Sequence, residues 1–305
     1  MRCDRCGKEA VLYQDYSGLH LCSQHFIMDL EAKAKRAIRT HHWMKTGDHI
    51  AVALSGDPAT IALVFFLTKL TEKRRDIRMS AITIDEGIEG FRNPVQVKKV
   101  AESLDVSWIC RSFREEYRST VDEIARRKGA IHACQYCRIL RHHMLNRIAS
   151  GNGVTKLAFG TSLDDGALDV LSNVLCGNAE HLFVTQRTSP GIILQIHPFM
   201  DIPAQELRLY AAIHSDMIIP TGEDVPARCP YASTAVEQDI HAMLEDYTQN
   251  HPATKHALVN LRENLSRTPG IATDCLPNCP RCGEPSAGTC RNCGVLDEFG
   301  RGLTR

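Results

Sequence analysis

Neither sign of charge prevails in this chain: 36 lysines and arginines stand against 36 aspartates and glutamates. Bulk electrostatics therefore neither requires nor excludes a nucleic-acid partner. No apolar run approaches the ~18 residues that a membrane-spanning helix needs, so no membrane partner is expected. The first residues also lack the basic and then apolar pattern of a secretory leader, and a cytoplasmic location is the expectation. Apart from two cysteine knuckles there is no internal repeat. A composition of 43% hydrophobic and 24% charged residues calls for neither a fibrous nor a disordered reading. Residues 1–25 and 275–305 hold few large apolar side chains, so neither end can offset its own ordering entropy by burial. Something other than a hydrophobic core has to hold them.

Cysteine is plentiful, with thirteen in 305 residues. In a small secreted domain that count implies a disulfide scaffold. In a long chain without a leader, with most of the cysteines in CxxC pairs, metal binding is the better reading. Cys3 and Cys6 precede Cys22 and His25 with fifteen residues between the pairs, and Cys279 and Cys282 precede Cys290 and Cys293 with seven. Both spacings suit a zinc site closed by four protein ligands, which leaves no position for substrate. A structural zinc contributes about 10–16 kcal/mol in small peptides, enough to fold such a segment. Cys275 reads as a free thiol, and Cys110 and Cys176 as small buried apolar side chains. Cys134 and Cys137 have no second pair nearby, and Cys229 stands alone. An incompletely ligated metal of this kind is where chemistry can occur.

Between the ends, short β-rich runs alternate with helical periodicity. Strands are expected over 49–54, 79–85, 106–110 and 156–160, and helices over 26–42, 59–73, 94–104, 115–128, 136–149, 164–175, 203–215 and 234–265. This predicts an α/β fold: a doubly wound, mostly parallel sheet flanked by two small zinc-binding modules. The division is residues 1–26 as an N-terminal zinc knuckle, 27–270 as the α/β domain with a helical C-terminal part, and 271–305 as a C-terminal zinc ribbon. Ligands of such sheets sit at the carboxyl ends of the strands, which read Ser55-Gly56, Asp85-Glu86-Gly87 and Gly160-Thr161.

Two basic stretches stand out. Lys33, Lys35, Arg36, Arg39, His41, His42 and Lys45 follow the first knuckle; Arg138, Arg141, His142, His143 and Arg147 follow the central CxxC at helical spacing. Each could track a phosphate backbone or be a solvated helix face. Trp43 could stack on a base or pack the linker helix. His20, His181, His197 and His214 lack ligand-like spacing and read as ordinary polar groups.

Taken in order, these segments carry a resemblance. The CxxC/CxxH knuckle, TIDEGIEGFR at 83–92, CQYCRILRHHMLN at 134–146, SLDDGALDVLSNVL at 162–175, CPY at 229–231 and the terminal CxxC/CxxC resemble the TtuA-type tRNA 2-thiouridine synthetases. That group belongs to the PP-loop ATP pyrophosphatases, with the adenine nucleotide alpha hydrolase-like fold, and includes archaeal NcsA-like and eukaryotic wobble-uridine thiolases. The resemblance spans nearly the whole chain. It implies a [4Fe-4S] cluster on Cys134, Cys137 and Cys229, with one iron open for sulfide from a ubiquitin-like sulfur carrier. It implies that ATP with magnesium adenylates the C2 oxygen of a tRNA uridine, so that sulfur expels AMP and leaves 2-thiouridine. ATP would lie against Ser55, Gly56, Thr60, Ile84 and Gly160. Arg141 matches a basic residue near nucleotide and cluster, and Asp165 an acidic residue that assists proton transfer. From the residues alone, Arg141 reads as a solvated helix charge and Asp165 as a helix N-terminal carboxylate. Homodimers occur among the relatives, and no coiled-coil heptad here selects between monomer and dimer.

The phosphate loop departs from the family's SGGxDS. Here it reads Ser55-Gly56-Asp57-Pro58-Ala59-Thr60, with an aspartate for the second glycine and an alanine for the loop aspartate. Pro58 removes one amide donor. Two unit charges ~4 Å apart repel by about 4 kcal/mol at an effective dielectric of 20, so a carboxylate beside the phosphates would be costly. The family's GHNLDD also reads Gly160-Thr161-Ser162-Leu163-Asp164-Asp165 here. Two functions follow: a working thiolase in which Asp57 turns outward or helps hold magnesium, and a repurposed paralogue that keeps zinc, cluster and tRNA binding without ATP chemistry. A third reading assigns every cysteine to zinc or structure.

Overall fold

The computed structural model describes residues 1–178, 182, 192–214, 229–231, 235–267, 279 and 290–299. A short antiparallel hairpin of β1 (Leu12–Gln14) and β2 (Leu19–Leu21) leads into α1 (Ser23–Thr40). The α/β body follows as β3 (His49–Ala53), α2 (Pro58–Thr71), β4 (Arg78–Asp85), α3 (Pro94–Ser103) and β5 (Ser107–Ser112). It continues through α4 (Phe113–Tyr117), α5 (Val121–Lys128), α6 (Ala130–Gly151), β6 (Lys156–Ala158), α7 (Leu163–Leu175), β7 (Leu194–Ile196) and α8 (Ala204–Ile213). The remaining helices are α9 (Ala235–Asn250), α10 (Thr254–Arg267) and α11 (Arg291–Phe299).

The main sheet has five parallel strands in the order β5-β4-β3-β6-β7. The winding reverses at β3, so the switch point lies between β3 and β6. Strand side chains alternate between faces, and the core divides accordingly. Ile50, Val52 and Leu54 face one layer with residues of α1, α2, α3, α7 and α8, while Ala51, Ile82 and Leu157 face a second layer with α5 and α6. The expected doubly wound α/β sheet is the observed one.

The ends are tied to these layers. Leu21 and Phe26, fully buried, join the first layer, and Val295 and Leu296 of α11 join the second. Among the described residues, no helix is long and apolar enough to cross a membrane.

Local differences have local causes. The helix expected over 115–128 is two: α4 ends where Arg118 adopts a left-handed φ of 52°, and Thr120 opens α5 with a capping box to Glu123. The helix expected over 234–265 breaks between α9 and α10, where Pro252 follows His251. Strand β7, three residues long, is too short to show periodicity. Trp43 is 2% exposed and stacked on His41 at 4.4 Å, so it packs the linker and offers no ring to a base. Cys176 is exposed at the end of α7, not buried, and Cys110 is only partly covered on edge strand β5. His181 and Cys275 lie outside the described residues.

Candidate cofactor cleft and metal centres

Among the described residues the cysteines are not joined in disulfides. In the N-terminal knuckle, α1 starts earlier than expected and carries His25 on its first turn. The ligand atoms of Cys3, Cys6, Cys22 and His25 all lie within 4.8 Å of one another. Cys6 Sγ is 3.7 Å from Cys22 Sγ, and His25 Nδ1 is 3.4 Å from both Cys3 Sγ and Cys22 Sγ. A tetrahedron with metal–sulfur bonds of ~2.3 Å has edges of about 3.8 Å, so this set fits a zinc ion. Burial raises the Cys3 thiol, but hydrogen bonds from the backbone and from His25 outweigh it and bring the group to about 6. In the C-terminal site, Cys279, Cys290 and Cys293 converge within the same limit, with Cys279 and Cys293 sulfurs 3.5 Å apart. Its fourth expected ligand, Cys282, lies outside the described residues.

Cys134 and Cys137 sit on α6, one turn apart, with Cys137 buried. Cys229 packs against the layer that contains Cys137; its charge bears on Cys137, and that of Cys134 bears on Cys229. These three do not converge within the 4.8 Å that brings each terminal set together. Three soft thiol donors at an apolar wall are the ligand type of an iron–sulfur cluster. Burial pushes the Cys137 thiol up to about 12, with Arg141 and Arg92 opposing and Glu86 and Cys229 adding to the rise. Such a group becomes a thiolate only when metal takes the proton's place. The C-terminal module braces the same helix: Glu298 of α11 accepts a hydrogen bond from Tyr136 Oη at 2.8 Å and an ion pair from Lys128 at 2.5 Å.

Beside the thiols, a cleft of about 470 Å³ opens at the carboxyl ends of β3, β4 and β6. Ser55, Thr60, Ile84, Gly160, Arg141 and Asp165 all line it. Gly56 lies in the loop between, with φ +91°, where a Cβ would meet Val97 Cγ2 at 2.8 Å. A Cβ on Gly160 would stand 2.9 Å from Ala59 C and Thr60 N, so this glycine lets the end of β6 touch the start of α2.

Two further residues form the cleft's charged wall. Glu86, 2% exposed, takes Arg92 at 2.6 Å and Arg141 at 3.3 Å on the same Oε1. Sequence reading noted Glu86 only as a strand end and passed over Arg92 except within a motif. The usable signal was the position of Glu86 just past β4, where parallel sheets place their ligand groups. Thr161 shares a hydrogen bond of 2.9 Å with His197, whose ring stacks on Phe159. Burial, then Arg262, holds the His197 imidazole down near 4, so it is neutral at neutral pH.

Asp165 is engaged locally. Its Oδ2 accepts from Ser162 N at 2.9 Å and Ser162 Oγ at 2.7 Å, and its own N–H donates back to Ser162 Oγ at 3.2 Å. It is thus the acid of a capping box on α7 as well as a cleft residue. Its neighbour Asp164 turns away to Lys255 and Ala204 N.

Asp57 does not turn outward. As the N-cap of α2, its Oδ1 accepts from Ala59 N and Thr60 N, both at 3.0 Å. Its Oδ2 accepts from Ser55 Oγ and stands 3.3 Å from Thr60 Oγ1. Pro58 occupies the first helical turn, where its missing N–H costs the helix nothing.

The basic stretches also divide. Lys33 pairs with Asp29 and Glu206, and Lys35 with Glu31, whereas Arg36, Arg39, His42 and Lys45 are exposed. On α6, Arg141 pairs with Glu86, His142 meets Gln195 and His143 meets Tyr117, while Arg138 and Arg147 are exposed, Arg147 paired with Glu116.

Known proteins resemble this chain over nearly its whole length. Residues 2–27 match the model of the 2-thiouridine synthetase TtuA N-terminal LIM domain. The chain is 30% identical to the tRNA 2-thiolation protein NcsA of Haloferax volcanii, over 98% of this chain and 99% of that one. It is 28% identical to a probable sulfurtransferase of Methanocaldococcus jannaschii, over 95% and 86%. The solved U34-tRNA thiolase NcsA from Methanococcus maripaludis with its [4Fe-4S] cluster superposes with a TM-score of 0.81 at 24% identity, covering 98% of this chain and 97% of that one. Near end-to-end similarity at 30% identity means that this chain belongs to the TtuA and NcsA family of tRNA 2-thiolation proteins.

Proposed function

We propose that this protein is a tRNA-uridine 2-sulfurtransferase that holds a [4Fe-4S] cluster on Cys134, Cys137 and Cys229 and a zinc ion in each terminal module. The observation that carries the reading is the meeting of the three thiols with the Glu86, Arg92 and Arg141 wall of the switch-point cleft. When bound, the cluster supplies an iron with an open position for sulfide. In the cleft, the C2 oxygen of the uridine attacks the α-phosphate of ATP and pyrophosphate leaves. Sulfur then adds at C2 and AMP departs with the oxygen. Arg141, beside both thiols and cleft, neutralises charge on the departing phosphate, and Asp165 takes a proton. Arg36, Arg39, His42 and Lys45 meet the tRNA backbone, and the sulfur donor is a ubiquitin-like carrier.

One observation favours a second reading, a paralogue that keeps zinc, cluster and tRNA but not ATP chemistry: the Asp57 carboxylate lies inside the loop expected to hold the phosphates. Anaerobically reconstituted protein given ATP, magnesium, sulfide and tRNA separates the two. The first predicts 2-thiouridine by mass spectrometry of digested tRNA and AMP in equal amount. Cluster-loaded, tRNA-binding protein that forms neither product would establish the second.

A further inference from the structure

The loop after β3 has the makings of an anion site. It enters α2 at the switch point, Gly56 holds a left-handed backbone that brings the chain close to the cleft, and the first amides of a 14-residue helix point into a cavity with Arg92, Arg141 and Arg208 on its walls. Asp57 already fills that site. An ordinary N-cap satisfies one or two amides with one oxygen. Here one oxygen takes both available amides, Ala59 N and Thr60 N, and the other takes the Ser55 hydroxyl and faces that of Thr60. The loop's donors are therefore spent on an anion that belongs to the protein.

We infer that Asp57 is the residue that determines whether this cleft accepts a nucleotide phosphate: its carboxylate stands in the phosphate position, and ATP binds only by displacing it. The inference rests on the reading of the cleft as a nucleotide site. A nucleoside without phosphates does not compete with Asp57, so the carboxylate discriminates between ligands that share a base and differ in charge.

The test compares magnesium–ATP and adenosine binding by equilibrium dialysis to the cluster-loaded native chain, Asp57→Asn and Asp57→Gly. Both replacements are good N-caps, so the start of α2 is kept. Unchanged zinc content and thermal midpoint verify that each variant folds. Removal of the charge and its competition is expected to tighten ATP at least about tenfold in Asp57→Gly, with Asp57→Asn between, while adenosine changes by less than roughly twofold. ATP affinity independent of residue 57, or adenosine gaining as much as ATP, overturns the inference and leaves the nucleotide reading standing. Binding of neither ligand by any of the three chains overturns both.

Discussion

Lys156 begins β6, in parallel register with Ile50 of β3, and its ammonium pairs with Asp48 just before β3. Both side chains are buried, at 6% and 8% exposure. Asp48 also accepts from Lys45 N at 2.6 Å and Thr155 Oγ1 at 2.8 Å. The cluster pins the two strands that define the switch point at the end opposite the cleft. Lys156→Met leaves the Asp48 charge buried with only its neutral donors, and a loss of about 3–5 kcal/mol in urea unfolding is expected. Asp48→Asn together with Lys156→Met should recover part of that loss, because no charge then remains stranded. No feature of the sequence announced this pair, since its members lie far apart and only parallel pairing brings them together. The cysteine knuckles show the opposite case: their local spacing alone constrains the ligands, and Cys3, Cys6, Cys22 and His25 were readable before folding. Asp165 falls between, legible as a motif residue but bound in a capping box that spacing also allows.

Elements record how tertiary contacts reshape local propensity. The 115–128 segment looks continuous by periodicity, yet the Ser112 and Thr120 capping boxes begin two separate helices. Those caps are visible in sequence as S-x-x-E and T-x-x-E, and the apolar pattern obscured them. The joining of α7 to α10 was not visible at all. Lys255 of α10 lies 2.7 Å from Asp164 of α7 and 2.7 Å from Glu245 of α9, bracing three helices. Burial raises the Asp164 carboxyl, but Lys255 and the Ala204 amide outweigh it and hold it below the usual carboxylate range. A depressed folded value means that ionised Asp164 stabilises the fold above its unfolded pKa, near 3.9, and that this contribution disappears as pH falls through the lower folded value. Asp164→Asn should therefore destabilise the protein at neutral pH, and the gap from the native chain should close as the medium is acidified below about 4. Urea midpoints of both chains across that range measure it; a gap independent of pH would show that the carboxylate charge contributes nothing.

For the molecule as a whole, net charge of zero conceals an uneven surface. Two basic stripes look equivalent in sequence, and pairing separates them: the α6 stripe is largely engaged by Glu86, Glu116, Tyr117 and Gln195, whereas α1 leaves Arg36 and Arg39 exposed three residues apart on one face. Sequence could mark both stripes but not choose, because the choice depends on which helix carries core-facing partners. Phosphate contacts release counterions, so each one lost reduces the salt dependence of nucleic-acid binding by about 0.7–0.9 in the slope of log affinity against log salt. Arg36→Ala with Arg39→Ala is accordingly expected to lower that slope by about 1.4–1.8 and to weaken all tRNAs alike, since backbone contacts carry no sequence information. Arg147→Ala, which removes a half-exposed charge already paired with Glu116, should instead leave the slope unchanged and cost at most about 1 kcal/mol of stability. Filter binding of tRNA across a salt series reads both variants, and a slope that moves with Arg147 but not with Arg36 and Arg39 would transfer the tRNA surface from α1 to α6.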